Sequence, residues 1–116
     1  ELLIAHLLGD YCLQNHWMAT QKTSRLWIAA GHALMYSIPF VVLFQPSFYQ
    51  WAILTGTHCI IDRYRIAKYW VDFYGIGKPG WMSSSTEVAP PFLAVWLLLL
   101  VDNTMHLTIN WWVLER

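Results

Sequence analysis

LWIAAGHALMYSIPFVVLFQPSFYQWAILTGTHCII, residues Leu26 to Ile61, runs for 36 residues without an Asp, Glu, Lys or Arg. That is too long for one membrane span, for which about 20 apolar residues suffice. Pro39, Pro46 and the polar Gln45-Pro46-Ser47 divide it into two helices joined by a tight turn. A second uncharged run covers Val88 to Val101. Such stretches would aggregate in water, so the expected solvent is a bilayer.

Composition agrees. The 116 residues are 57% hydrophobic and 16% aromatic but only 12% charged, about half the charge of an ordinary soluble domain. Seven Lys plus Arg balance seven Asp plus Glu, which excludes the basic footprint of a nucleic-acid binder. Disorder is excluded by the dominance of apolar residues. The N-terminal apolar segment lacks a basic n-region and contains His6 and Asp10, so it does not read as a signal peptide. Cys12 and Cys59 lie in apolar segments and are expected as buried free thiols.

The expected fold is an all-α, antiparallel, up-down four-helix membrane bundle in one domain spanning 1–116. Its helices cover about 2–20, 24–44, 47–74 and 90–114, with a loop over 75–89. Trp17, Trp27 and Trp70 fall near one end and Trp51, Trp111 and Trp112 near the other, as in an aromatic belt. Lys22, Arg25, Arg63, Arg65, Lys68 and Lys78 lie on the first side and only Arg116 on the second. The positive-inside rule therefore puts the first side, with the 75–89 loop, in the cytoplasm and both termini outside.

Three helices carry a His and an Asp four residues apart: His6 and Asp10, His58 and Asp62, Asp102 and His106. This spacing stacks two side chains on one helix face. The second helix adds His32. Counted at ~1.5 Å per residue from the cytoplasmic ends, all seven fall roughly 12 to 24 Å deep and can share one layer. The order also reverses as antiparallel packing requires, HxxxD in the first and third helices and DxxxH in the fourth.

A lone intramembrane His or Asp is explained by a hydrogen bond in the core. Three Asp at the bilayer centre, at ~2.5 to 3.5 kcal/mol each on insertion scales, call for positive charge that neutral His cannot supply. His6, Asp10, His32, His58, Asp62, Asp102 and His106 are thus candidate ligands for a divalent transition metal. Zinc comes first, with manganese or iron as alternatives, and seven ligands allow one ion or two. Arg65, seven residues beyond His58, either receives an anionic substrate group or snorkels to the interface. Gln14 and Asn103 adjoin the ligand stripes and are candidates to hydrogen-bond ligands. His16, Asp72 and Glu87 are expected at wet surfaces.

The segments LLIAHLLGDYCLQNHWMA (Leu2 to Ala19), GHALMYSIPF (Gly31 to Phe40), THCIIDRYRIAKY (Thr57 to Tyr69) and VDNTMHLTIN (Val101 to Asn110) resemble a family of uncharacterised small integral membrane proteins of bacteria and phages, a domain of unknown function. The resemblance covers nearly the whole chain. Its recurrent polar positions match His6, Asp10, Gln14, His32, His58, Asp62, Asp102 and His106, with Arg63 and Arg65 closest to phage-like members. It implies a multi-pass protein of the bacterial inner membrane and supplies no activity. A looser similarity is to membrane-bound metal-dependent hydrolases with His and Asp in their helices.

Three functions compete. The first is a metal-dependent hydrolase acting on an anionic lipid or a lipid-linked ester or phosphoester, with Asp62 as general base and Arg65 at the headgroup. The second is a b-type haem or di-iron redox protein, although haem gives no reason for three paired Asp. The third is an ion or metal transporter using the same ligands as a transit site. Self-association into a homo-oligomer is left open.

Overall fold

A computed structural model describes residues 1–79, 81 and 90–115, and every described element is helical. The helices are α1 (Leu2–Leu7), α2 (His16–Gln21), α3 (Leu26–Phe44), α4 (Phe48–Tyr64), α5 (Ile66–Tyr74) and α6 (Pro91–Leu114), with a π-helical segment, Leu8–Cys12, after α1. Residues 80 and 82–89 of the expected loop, with Glu87, and Arg116 lie outside the described residues.

The long uncharged run forms α3 and α4, which pack on each other. Gln45 turns the chain with a left-handed backbone (φ 47°), and Ser47 caps α4 in a reciprocal pairing with Gln50, the arrangement of a capping box. At its other end α6 begins with Pro91 in its first turn, where a missing N–H costs nothing.

Two helices expected to be continuous are broken. The first, expected over 2–20, follows α-helical geometry only to Leu7. It then widens to i−5 bonding, with Leu13 N–H donating to the Leu8 carbonyl at 2.9 Å. Asn15 restarts it as α2 by accepting from Met18 N–H at 2.8 Å. Gly9 accounts for the close approach here: a Cβ would lie 2.5 Å from the Tyr36 carbonyl oxygen and 2.9 Å from its ring. The third helix, expected over 47–74, stops at Arg65, whose φ of 52° is left-handed and uncommon without glycine. Arg63 anchors the end of α4 by donating to the carbonyls of Thr23 and Ser24. From there α5 packs on α6, burying only Ala67.

α3 and α6 are each long and apolar enough to cross a membrane; α1 with its π segment is a shorter apolar helix. In α6 only 6% of the apolar window is buried inside the protein, against 44% in α3. Ala5, Tyr36, Phe40 and Leu54 form an apolar cluster flanked by Leu2, Phe44 and Leu114, and Ile28, Ala29, Ala33, Ile61, Ala67 and Val113 are also buried. Half of the largest fully buried side chains are histidines: His6, His32, His58 and His106. Both cysteines are free, but neither is buried as expected: Cys12 is exposed because the π segment presents it outward, and Cys59 is half-buried.

Candidate metal centre

α1 and its π segment, α3, α4 and α6 each present one polar stripe to a common centre. Spacing of four residues does this within each helix, and the π segment sets Asp10 against α3. Asp10, His32, His58 and Asp62 are all buried, and one ligand-type atom from each lies within 4.8 Å of the others. His32 Nε2 lies 3.1 Å from His58 Nε2, 3.1 Å from Asp10 Oδ1 and 3.2 Å from Asp62 Oδ2. His58 Nε2 lies 3.4 Å from Asp62 Oδ2 and 3.8 Å from Asp10 Oδ1. Ligand atoms at zinc bond lengths of 2.0 to 2.2 Å in a tetrahedron stand about 3.3 Å apart, so the spacing suits one small cation.

Proton counting supports the same conclusion. If His106 Nε2–H donates to Asp62 Oδ1 (3.2 Å), its Nδ1 accepts from His58 Nδ1–H (3.2 Å), and His58 Nε2 is bare. His32 then brings at most one proton to a point where two nitrogens and two carboxylate oxygens converge. Electron-rich atoms crowded with so few imidazole protons, away from water, are stabilised by a cation, a place that the Lys22 ammonium, 2.6 Å from Asp62 Oδ2, or a metal ion can fill. Binding through Nε2 places the proton of His32 on Nδ1, which has no hydrogen-bond partner. His32 is therefore the ligand with the least support from its surroundings.

Each remaining expected residue has a definite place. His106 Nε2 lies 3.7 Å from Asp102 Oδ2, and Asp10, Asp102 and His106 form a second group within 4.8 Å of one another. His6 is fully buried, but both ring nitrogens are engaged: Nε2 donates to Asn103 Oδ1 at 2.9 Å and Nδ1 pairs with the Tyr36 hydroxyl at 3.1 Å. Its distance to Asp10 Oδ2 is 4.0 Å, so His6 orients the cluster from its edge. Asn103 also accepts from the Tyr11 hydroxyl. Gln14 bonds to the Asp10 backbone carbonyl rather than to its carboxylate. His16 and Asp72 are exposed, the latter paired with Lys68 at 2.7 Å.

Arg65 is exposed. The break in the helix removes it from the regular stripe of His58 and Asp62, yet it still lines a polar cavity of about 340 Å³ shared with Lys22, Asp62, Lys68 and Asp102. Beside it, a second and apolar groove of about 720 Å³ runs along α6 past Trp70, Leu97, Met105 and Ile109.

Sequence reasoning missed two participants. Lys22, counted only as an interfacial charge, sends its ammonium to 2.6 Å from Asp62 Oδ2, 3.4 Å from His32 Nε2 and 3.9 Å from Asp10 Oδ1. No spacing signals it, because the connection between α2 and α3 brings it in. Tyr36 stacks on His58 with centroids 3.6 Å apart and accepts from Asn110 Nδ2 at 2.7 Å. Here a signal existed: Tyr36 follows His32 by four residues and Asn110 follows His106 by four.

No curated protein and no solved structure matches the chain. A family model described as a protein of unknown function, DUF3307, matches residues 1–113, all of the helical elements except the last residue of α6. The shared unit is thus the whole helical assembly that carries the His and Asp cluster, and the chain belongs to the DUF3307 family.

Proposed function

We propose that the protein is a membrane-embedded, metal-dependent hydrolase of an anionic lipid or a lipid-linked ester or phosphoester. It acts in the bacterial inner membrane as an antiparallel bundle of four spanning units: the broken first helix, α3, α4 with α5, and α6. The observation that carries this reading is the convergence of Asp10, His32, His58 and Asp62 on one small-cation-sized point, beside a cavity lined by Lys22, Arg65 and Lys68. Exposed apolar side chains along α6 and the asymmetric distribution of Lys and Arg support the bilayer and the orientation with the termini outside.

A divalent cation in this His and Asp cluster would acidify water and polarise a carbonyl or phosphoryl group. Hydrolysis joins the water oxygen to phosphorus or carbonyl carbon while the bond to the leaving alkoxide breaks; one water proton goes to a carboxylate and then to that alkoxide. Asp62, the base suggested by the sequence, is engaged at both oxygens, by Lys22 and His32 at one and His106 at the other. Asp102, partly exposed on the polar cavity and met among the described residues by His106 at 3.7 Å, is the least engaged of the three carboxylates. Arg65 offers a two-pronged donor to an anionic headgroup. The apolar groove along α6 suits the lipid chain.

Haem is disfavoured by the 3.1 Å contact between His32 Nε2 and His58 Nε2, which leaves no room for a porphyrin between them. The test is elemental analysis of protein purified without chelator, alongside release of product from vesicles of anionic lipid. Bound metal lost in His58→Gln, and turnover reduced in Arg65→Gln with metal retained, are expected. Substoichiometric metal in the parent protein would overturn the reading, and metal uptake into proteoliposomes without turnover would replace it with transport.

A further inference from the structure

Four protein ligands around one cation make a closed site, whereas catalytic centres keep an open position for water or substrate. The point enclosed by Asp10, His32, His58 and Asp62 is of the closed kind, all four residues being buried. Both of its carboxylates, however, offer a second oxygen to the other side. Asp62 places Oδ2 at the closed point and turns Oδ1 to His106 Nε2 at 3.2 Å. Asp10 belongs to both ligand groups, and its Oδ2 points away from His32 toward His6. Asp102, the most exposed of the three carboxylates at 24% of its side chain, closes this second group and lines the polar cavity.

Resting on the metal-dependent reading above, we propose that the centre holds two divalent cations bridged by Asp10 and Asp62. The first is enclosed by His32 and His58. The second is held by His106 and Asp102, opens on the polar cavity and is the one that meets substrate. Two-metal sites keep their ions roughly 3.5 to 4 Å apart, a span that one carboxylate bridges with its two oxygens. Charge gives the arrangement a consequence for substrate. With His58 and His106 both bound through Nε2, one proton is left between their Nδ1 atoms 3.2 Å apart, so two divalent ions with Lys22 outweigh the three carboxylates and that one imidazolate by one positive charge. In a water-poor interior that excess is unfavourable until anionic ligands enter the cavity. Arg65 and Lys68 at the same cavity add to it. The occupant this selects is a phosphoryl group rather than a neutral ester.

The experiment uses the full chain in lipid nanodiscs, stripped and then titrated with manganese(II), with bound ions counted and the low-temperature electron paramagnetic resonance spectrum recorded. About two ions per chain and a spin-coupled spectrum are expected. Asp102→Asn and His106→Gln should each drop to about one ion with the six-line signal of isolated manganese, retention of the first ion itself proving the fold intact. About one uncoupled ion in the parent protein would overturn the second site and leave the metal-dependent reading standing. Less than half an ion per chain would overturn both. Either variant retaining both ions, or losing both, would overturn the division of ligands. Inorganic phosphate should bind the two-ion form at least about tenfold more tightly than either variant, and equal binding would overturn the phosphoryl preference.

Discussion

The interior of this protein is unusually polar and its periphery unusually apolar. His32, His58, Asp62 and Asp10 are buried, while Leu34, Trp27, Phe92 and Trp96 are at least half exposed. In water, burial of apolar surface drives folding and an exposed apolar patch is a liability. In a bilayer the tails are as apolar as leucine, and packing and hydrogen bonding hold helices together. The cluster of His, Asp, Tyr and Asn links four chain segments in the manner of a polar core, and in the bilayer proposed above the side chains facing outward need only be compatible with lipid.

The sharpest way to break this contrast is a charge at the middle of α3. Leu34 is half exposed, so Leu34→Lys would be nearly neutral if that face met water. Facing lipid, it should cost about 3 kcal/mol and cut membrane-inserted yield severely, with Leu34→Ala close to the parent. Equal yields from both variants would remove the bilayer from the explanation.

Gly9→Ala probes the inner side of the contrast. A Cβ there meets the Tyr36 backbone 2.5 Å away and must push the π segment off α3, a disturbance of about 2 kcal/mol. Because Asp10 rides on that segment, bound metal should fall together with thermal stability. A stable protein with reduced metal would show that the segment gives way locally; unchanged values in both measurements would show that the close approach does not matter.

Lys22→Met tests whether the cluster depends on a cation of its own. Without metal, Asp62 loses a partner at 2.6 Å, a charge-assisted bond worth about 2 kcal/mol. Unfolding followed in chelator and again with zinc should show the loss mainly in chelator, since the bound ion then neutralises the carboxylates. An identical loss in both conditions would confine Lys22 to ordinary packing.

The smallest effect is expected from Tyr36→Phe, which keeps the ring stacked on His58 and removes only the hydroxyl shared by His6 and Asn110. About 1 kcal/mol of stability should go, with metal content unchanged. Loss of metal in this variant would mean that His6 is more than an orienting residue.

The sequence alone determined that the chain is helical, that the long uncharged run contains a turn at Gln45-Pro46-Ser47, and that seven His and Asp residues fall on the faces of four helices. Those features are local: charge-free length, proline and capping residues, and a four-residue repeat that any helix converts into a stripe. Only the tertiary structure decided how the stripes meet. It broke the first helix at a π segment because Gly9 lies against Tyr36, and it ended α4 at Arg65 without glycine or proline to announce it. It also separated His6, satisfied by Asn103 and Tyr36, from the ligands that converge, and brought Lys22 onto Asp62 from a connection with no pattern of its own. Such outcomes depend on which surfaces of different helices touch, and a periodicity within one helix carries no information about its neighbour's approach.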